Sequence, residues 1–243
     1  FVFIFVLFGS FLEGTGGGNF FTELAYALTG RMVGGPAKTA VIASGFMGSV
    51  SGSAVANVVT TGSFTIPMMK QTGYKPYIAG AVEAAASTGG QIMPPIMGAG
   101  AFLMAEFTNT PYLNIVKIAI IPAIMYYFAT YCFVHFRAKK MGIKPLEAKD
   151  IPRLLNVIKR GFHFLIPIGV LIYFLIANYS PMMVGFAGVI SVLGVCMIRK
   201  ETRIGFRQLL KLLERGTKNA AMVSAACAAA GIIVGMVTLT GLG

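Results

Sequence analysis

The sequence predicts an all-α integral membrane protein, because of its composition, its long apolar blocks and the placement of its basic residues. Of its 243 residues, 56% are hydrophobic and 12% are charged, and the mean hydropathy is +0.77. Ordinary soluble domains carry about 25% charged residues, so a soluble core does not account for this composition. A helix of about 20 apolar residues crosses a bilayer, and several blocks approach that length: Val2 to Leu12, Leu113 to Phe136, Phe164 to Ala177 and Met182 to Ile198.

Lysine and arginine outnumber the acidic residues by 20 to 8, an excess that is also typical of nucleic-acid binding. Their placement favours the membrane and no nucleic-acid partner, because two segments between apolar blocks hold most of them and such segments stay cytoplasmic. The first is a predicted cytoplasmic loop at 137–161, and the second follows residue 198. Their basic residues are Arg137, Lys139, Lys140, Lys144, Lys149, Arg153, Lys159, Arg160, Arg199, Lys200, Arg203, Arg207, Lys211, Arg215 and Lys218.

The first 136 residues are predicted to be the end of one repeat, and they start with an apolar span that stops near Leu12. The glycine-rich stretch Gly14 to Gly18 predicts a bend. An arm helix at Asn19 to Leu28 follows, since its apolar residues recur with helical period. Glu13 stands at the end of the span, where we expect an interfacial carboxylate.

A re-entrant helical hairpin is predicted at residues 36–70. Two apolar arms of about 12 to 16 residues flank Ser51-Gly52-Ser53, and neither arm is long enough to cross a hydrocarbon core of about 30 Å. Lys38 and Lys70 mark one and the same side of the membrane. The polar tip should therefore lie near the midplane, where its free backbone groups must be buried in protein or line a wet cavity.

A broken span at 77–107 follows the hairpin, and a further span at 112–136 follows the break. Helix-forming Ala79 to Ala86 gives way to Ser87-Thr88-Gly89-Gly90-Gln91-Ile92-Met93-Pro94-Pro95. Glycine is permissive and proline has no backbone donor, so the helical ladder is interrupted and carbonyls are freed at membrane depth. Such carbonyls and hydroxyls are the groups from which transporters build cation sites. We expect the break and the hairpin tip to meet.

Residues 162–243 are predicted to be the start of a second repeat, with spans at 162–177 and 182–198, a cytoplasmic amphipathic helix at 203–215 and a span at 219–241. Val6 to Gly16 and Gly231 to Gly241 are both apolar runs that close on Thr-Gly. The basic segments give these two runs opposite orientations across the membrane. Corresponding elements of opposite orientation indicate an inverted repeat, which is typical of secondary transporters.

Small polar residues cluster at the two chain breaks: Ser51, Ser53, Asn57, Ser87 and Thr88. A single serine or threonine in a membrane helix commonly bonds only the carbonyl one turn back, but clustering at two breaks favours a binding site. The Asn57 amide could supply a carbonyl ligand to a cation. Two interpretations stay open for Glu83, a coupling or gating group at depth or a solvated carboxylate near Lys75.

Other function classes fit the sequence less well. A phosphate-binding GxxxxGK[ST] loop is absent from the sequence, so this chain does not carry ATP hydrolysis. No nucleophile, acid pair or metal-ligand set is placed for intramembrane catalysis, so we expect no enzyme and no cofactor beyond a coupling ion. Re-entrant loops also occur in channels, but broken spans in an inverted repeat favour alternating access.

Three stretches carry a resemblance to a known family. They are Ser51-Gly52-Ser53-Ala54-Val55-Ala56-Asn57, Gly62-Ser63-Phe64-Thr65-Ile66-Pro67-Met68-Met69 and Glu83-Ala84-Ala85-Ala86-Ser87-Thr88-Gly89-Gly90-Gln91-Ile92-Met93-Pro94-Pro95. This pattern resembles the large permease subunit of tripartite ATP-independent periplasmic (TRAP) transporters. It is most similar to the fused-permease branch that works with binding proteins of the TAXI type.

The resemblance implies an elevator-type, sodium-coupled importer of small organic carboxylates in a bacterial or archaeal inner membrane. Its implied partners are a periplasmic substrate-binding protein and a small permease subunit or fused equivalent. The implied sodium and substrate site consists of Ser51, Gly52, Ser53, Asn57, Ser87, Thr88, Gly89, Gly90 and Pro94. A divalent anion/sodium symporter of related hairpin architecture, which needs no binding protein, is the alternative.

The resemblance also implies a second hairpin, which completes the site in that family. The sequence starts within an apolar run and stops at Gly243 without a polar tail. We therefore expect an internal fragment that holds half of the site and does not transport alone.

Overall fold

The computed structural model describes residues 2–146, 151–198 and 202–241, and within them the chain is helical without a β-strand. A π-helical turn, Glu13–Gly17, joins α1 to α2, and single 3₁₀ turns follow α5 (Gly89–Gln91) and α8 (Phe162–Phe164). The helices are α1 (Val2–Leu12), α2 (Gly18–Thr29), α3 (Gly35–Ser51), α4 (Ala54–Gln71), α5 (Pro76–Thr88), α6 (Ala99–Phe107), α7 (Tyr112–Lys140), α8 (Leu154–Gly161), α9 (Leu165–Ile176), α10 (Pro181–Ile198) and α11 (Phe206–Thr240).

Four helical segments of the described chain are long and apolar enough to cross a membrane. They are Tyr112–Lys140, Leu154–Ile176, Pro181–Ile198 and Phe206–Val237. The predicted class, an all-α membrane protein with several spans, is therefore confirmed. The arms of the hairpin, α3 and α4, and the halves of the broken helix, α5 and α6, are outside this set.

Local sequence explains where several helices begin and end. Pro36 and Pro76 stand in the first turns of α3 and α5, and Pro181 begins α10. Proline suits this position because the first amide groups of a helix have no intrahelical acceptor. α7 ends on three basic residues, Arg137, Lys139 and Lys140, which interact favourably with the negative end of the helix dipole.

The first helix lies at the centre of the larger apolar core. Phe5, Phe8 and Phe11 of α1 are almost fully buried, and α1 packs against α3, α10 and α11. Its predicted bend is present at Gly16, whose φ of 106° lies in the region that favours glycine. α2 then turns across α3 and α4 and also contacts α8.

A second core lies inside the hairpin and broken helix, and alanine is its most frequent residue. Ala40 of α3 and both Ala79 and Ala86 of α5 are fully buried. Small side chains let helix backbones approach closely, and in a membrane that approach is a main source of helix association. α7 covers this core with Tyr127 and Val134.

Two predicted boundaries differ from the structure. The amphipathic helix predicted at 203–215 and the span predicted at 219–241 are one continuous helix, Phe206–Thr240. The predicted loop 137–161 is shorter, because α7 continues to Lys140 and α8 is helical and leads into α9. Lysine, arginine and glutamate are good helix formers. The charged residues at the end of α7, in α8 and at the start of α11 are therefore part of the helices and do not mark their ends. Lys149, Arg199 and Lys200 lie outside the described residues.

Candidate functional site

The tip of the hairpin is a tight turn between α3 and α4. Gly52 ends α3 with a φ of 60°, and its N–H donates to the Gly48 carbonyl at 3.0 Å. Ser53 begins α4 as its N-cap, since its Oγ accepts a hydrogen bond from the Ala56 N–H at 3.3 Å. The Ser53 N–H in turn lies 3.4 Å from the Ser51 Oγ.

The break in the second element is a loop between the 3₁₀ turn Gly89–Gln91 and α6. The loop closes on itself, because the Gly98 N–H donates to the Gln91 carbonyl at 2.7 Å. Tyr112 of α7 holds it from the other side, with its hydroxyl 3.0 Å from the Pro95 carbonyl. Pro94 is half-buried within this loop, and the Pro94–Pro95 peptide bond is cis.

The tip and the break contact each other directly. The Ile96 N–H of the break donates to the Ser49 carbonyl of α3 at 3.2 Å. A Cβ added to Gly52 would stand 1.8 Å from the Met97 carbonyl oxygen, so only glycine fits between the two segments. The two interruptions therefore form one structural unit.

A second close contact lies one turn below the tip. A Cβ on Gly48 would stand 2.2 Å from the Gly90 Cα, and a Cβ on Gly90 would stand 3.2 Å from the Asn57 Nδ2. Gly89 packs against the Tyr126 ring, where a Cβ would stand 2.6 Å away. The start of the break is thus fixed by backbone packing against α3 and α7.

Two cavities share the walls formed by the tip and the break. A cavity of about 320 Å³ is lined by Ser51, Gly52 and Ser53 together with Glu13 and Asn219. The other, of about 660 Å³, is lined by Gly52 and Ser53 together with Gln91, Gly98 and apolar residues of α6 and α7. The backbone and hydroxyl groups of the tip therefore face open space on two sides.

Beneath the tip lies a buried polar network around Glu83. Its carboxyl group is fully buried. It accepts hydrogen bonds from Thr61 and Thr65 of α4, from Ser87 of α5 at 3.2 Å and from Ser44 of α3 at 3.3 Å. Of the two interpretations that the sequence left open for Glu83, the solvated interfacial carboxylate is wrong.

Asn57 connects this network to the break. Its Nδ2 donates to the Ser44 carbonyl at 2.9 Å, and its Oδ1 lies 3.4 Å from the Thr61 hydroxyl. The side chain is fully buried and lies between α3 and Gly90. Its amide contributes to the internal network and not to the walls of either cavity.

The predicted site residues thus occupy different places. Ser51, Gly52 and Ser53 line the cavities, while Asn57 and Ser87 lie in the network beneath them. Gly89, Gly90 and Pro94 belong to the break. Thr88 is exposed, and its hydroxyl donates to the Ala84 carbonyl of its own helix at 2.8 Å. The structure does not bring Thr88 to the others.

Glu13, for which we expected an interfacial position, is largely enclosed by protein. Its side chain is 7% exposed and its carboxylate accepts hydrogen bonds from Thr60 of α4 at 2.6 Å and from Arg215 of α11 at 2.7 Å. Glu13 is the first residue of the π-helical turn and lines the smaller cavity. Glu13 therefore ties the hairpin to α11.

Sequence reasoning missed Ser44, Thr61 and Thr65 as site-forming residues. A signal for two of them was present, because Asn57, Thr61 and Thr65 recur every four positions and so share one face of α4. Glu83 and Ser87 have the same spacing on α5. Among the described residues, no group of three or more histidine, cysteine or acidic side chains is arranged to hold a metal ion.

Comparison with known proteins gives consistent matches. A family model described as "Tripartite ATP-independent periplasmic transporter, DctM component" matches residues 1–243. The isethionate TRAP transporter permease protein DctMQ of Oleidesulfovibrio alaskensis is 30% identical over 149 residues, which make up 60% of this chain and 22% of that protein. The expected similarity to the fused-permease branch fits this relative.

Two further relatives match shorter segments. A putative TRAP transporter large permease protein of Haemophilus influenzae is 32% identical over 91 residues, 37% of this chain and 21% of that protein. The uncharacterized protein y4mL of Sinorhizobium fredii is 33% identical over 121 residues, 50% of this chain and 28% of that protein. The chain thus spans 21% to 28% of the length of these curated relatives.

Proposed function

This chain belongs to the DctM component family of the tripartite ATP-independent periplasmic transporters, and we propose that it forms one half of the transport site of a sodium-coupled importer. The complete protein is a multi-pass permease of the inner membrane. It takes up small organic carboxylates that a periplasmic binding protein delivers, and a small permease subunit or a fused equivalent completes it. Its transport domain moves as an elevator against a scaffold.

One observation carries this proposal: the hairpin tip and the break of the second element form a single unit with cavities on both sides. Backbone groups that leave a helix at membrane depth need partners, because lipid supplies none. Some of these groups bond one another, as Ile96 does with Ser49. The cavity walls hold others where an ion or a substrate could reach them, which is the arrangement that transporters use.

Sodium binding at this unit is supported by the chemistry of the groups. Hydroxyl and carbonyl oxygens are the hard, neutral ligands that small cations favour. The hydroxyls of Ser51 and Ser53 lie at the tip, and the Pro94 carbonyl belongs to the break. The Gly89 and Gly90 carbonyls also lie there, and they accept hydrogen bonds from the Ile92 and Met93 N–H groups at 3.1 Å and 3.3 Å. Asn57 and Ser87 support both segments from below. We propose this set as the sodium and substrate half-site, with Gly52 as the point of contact between its two sides.

A small organic anion as substrate is supported by the family and by the relative that is named for isethionate. Two modest cavities are compatible with a molecule of that size. Dependence on a binding protein is supported by the family, whose transporters are tripartite and periplasmic. A permease that carried such anions with sodium but without a binding protein would instead be a divalent anion/sodium symporter, which is the alternative.

The proposal is tested by uptake into proteoliposomes that contain the full-length protein. A panel of organic acids, with isethionate included, is offered with and without an inward sodium gradient and the binding protein. We expect uptake of at least one acid only when both are present. Uptake without the binding protein would favour the symporter, and uptake without sodium would remove sodium coupling.

Asn57→Ala tests the site itself. The change removes the hydrogen bond to the Ser44 carbonyl, and a buried bond of this kind contributes about 1 to 3 kcal/mol when one partner is left unpaired. We expect the sodium concentration for half-maximal uptake to rise about tenfold, which corresponds to about 1.4 kcal/mol. Asn114→Ala, at an exposed position of α7, is the matched control. Unchanged sodium dependence in Asn57→Ala would remove Asn57 from the site.

A further inference from the structure

The Glu83 carboxyl group is the hub of the polar network inside the hairpin bundle. Four hydroxyl groups contact it, and they come from three different helices: Ser44 from α3, Thr61 and Thr65 from α4, and Ser87 from α5. Glu83 lines neither of the two cavities at the tip. Its contacts are therefore internal to the bundle.

The acceptor character of a carboxyl group suits this place. A carboxylate accepts hydrogen bonds at both oxygens and donates none, and four hydroxyl groups surround this one. Oε1 faces Ser44, Thr61 and Ser87, while Oε2 faces Thr65. Within the described residues no lysine or arginine forms an ion pair with Glu83. The side chain thus joins helices through hydrogen bonds and not through a salt bridge.

The network also reaches the break. Ser44 contacts Glu83 through its hydroxyl and accepts the Asn57 Nδ2 at its carbonyl, at 2.9 Å. Thr61 contacts both Glu83 and Asn57. Asn57 packs on Gly90, where the break begins. A continuous chain of contacts therefore connects Glu83 to the break, through Ser44 or Thr61 and then through Asn57.

We propose that Glu83 is a positioning residue that clamps both arms of the hairpin onto α5, the first half of the broken helix, and so holds the tip and the break in register. The inference rests on the proposed function only in regarding these two segments as the half-site. Buried hydrogen-bond networks that are fully satisfied rigidify a core, and a preorganised site needs such support.

The substitutions Glu83→Gln and Glu83→Ala separate the clamp from other roles. Glutamine keeps the length of the side chain and the acceptor at Oε1. Its amide nitrogen can donate to the Thr65 hydroxyl, which then turns to the Thr61 carbonyl 3.0 Å away. Alanine removes every contact and leaves the hydroxyls of three helices without their common partner. The clamp therefore predicts a loss of rigidity in Glu83→Ala and little change in Glu83→Gln.

Amide hydrogen exchange of the full-length protein in nanodiscs, read by mass spectrometry, measures the clamp without any transport assay. In Glu83→Ala we expect exchange at 49–57 and 89–98 to speed up about tenfold, because local opening of these segments becomes easier. Exchange at 165–198, in α9 and α10, should not change. Glu83→Gln should stay within about twofold of the wild type, as should the exposed control Glu106→Ala.

Three results would overturn the proposal. Exchange that rises equally at 165–198 would indicate a general loss of stability. Unchanged exchange at both segments in Glu83→Ala would show that nothing is clamped. Faster exchange in Glu83→Gln, equal to that of Glu83→Ala, would indicate that the negative charge matters, as it would for a cation ligand.

A milder variant covers the case in which Glu83→Ala does not fold. Thr65→Val removes only the donor to Oε2 while keeping the shape of the side chain. We expect exchange at 49–57 and 89–98 to rise about threefold, and unchanged exchange there would count against the clamp. Because these measurements need neither sodium nor substrate, a failure of sodium-coupled uptake would leave the clamp standing, and the reverse also holds.

Discussion

Two helical hairpins of this chain share a shape and differ in their interiors. The first consists of α3 and α4 around Gly52 and Ser53, and the second consists of α9 and α10 around the exposed turn 177–180. The interior of the first holds Ser44, Asn57, Thr61 and Thr65, all of them fully buried. In the second, α9 packs against α10, and the buried side chains are apolar, such as Leu171, Val184 and Val192.

The same helix–turn–helix motif thus occurs once with a polar, hydrogen-bonded interior and once as a pair of apolar helices. α10 and the segment that contains α9 are apolar enough to cross the membrane, whereas α3 and α4 are not among the candidate spans. A polar interior costs free energy unless every group is bonded, and in the first hairpin hydrogen bonds join the arms to each other and to α5. Its tip packs on another segment, while the turn of the second hairpin is exposed.

The two hairpins should differ most in their response to one added methyl group, measured as the change in the free energy of unfolding. In Gly48→Ala the new Cβ would stand 2.2 Å from the Gly90 Cα, so the backbone of the break must move. In Gly194→Ala of α10 nothing lies within 4 Å. We expect Gly48→Ala to lower the free energy of unfolding by about 3 kcal/mol, the upper end for overpacking, and to abolish uptake.

Equilibrium unfolding of the full-length protein in mixed micelles checks this pair. Gly194→Ala should be neutral or slightly stabilising, because alanine favours a helix over glycine by about 0.5 to 1 kcal/mol. If both alanine variants unfold at the same denaturant concentration, the close approach of Gly48 and Gly90 has no energetic weight.

A smaller effect is expected from removing the hydroxyl group of two tyrosines, one in α7 beside the first hairpin and one in α9 of the second hairpin. The Tyr127 hydroxyl lies 3.2 Å from the Ser44 carbonyl and 3.1 Å from the Ala86 carbonyl inside the first bundle. Tyr173 of α9 is 67% exposed. Tyr127→Phe should lower the free energy of unfolding by about 1 kcal/mol, the usual net contribution of one hydrogen bond. Tyr173→Phe should have no measurable effect, and equal losses in the two would contradict the comparison.

Much of the first hairpin could be predicted from the sequence for identifiable reasons. Ser51-Gly52-Ser53 had the composition of a turn between two apolar arms. The arms are 17 and 18 residues long in the structure, longer than predicted, and α4 is as long as the candidate span α10, so its polar residues and not its length keep it out of the candidate spans. The break was marked by two glycines and two prolines, which interrupt any helix. These are local signals, and the structure has its interruptions at Gly52-Ser53 and between Gln91 and Gly98.

The polar network could not be predicted in the same way, because it depends on contacts between distant positions. Ser44 and Glu83 are 39 positions apart, and Thr61 and Glu83 are 22 apart. The spacing of Asn57, Thr61 and Thr65 indicates a polar face, but not what that face contacts. The continuity of α11 was missed for another reason. Its first half is charged and its second half is apolar, and this change in composition was interpreted as a boundary between two helices.

The smallest effects should come from two hydroxyl groups that bond only their own helix, one on α5, which packs on the first hairpin, and one on α10 of the second hairpin. Thr88 donates to the Ala84 carbonyl at 2.8 Å, and Ser191 of α10 donates to the Gly188 carbonyl at 2.6 Å. Such bonds return to a carbonyl of the same helix and hold no second element. We expect Thr88→Val and Ser191→Ala each to change the free energy of unfolding by less than about 0.5 kcal/mol.

Uptake by Thr88→Val sharpens the comparison further, because Thr88 was predicted for the site and the structure gives it an exposed position. If the contacts of a polar side chain, and not its position in a sequence motif, decide whether it contributes to sodium binding, this variant should take up substrate with the sodium dependence of the wild type. Its neighbour Ser87 contacts Glu83 at 3.2 Å, so Ser87→Ala should raise the sodium requirement. A higher sodium requirement in Thr88→Val would return Thr88 to the site and show that the exposed face of α5 takes part in ion binding.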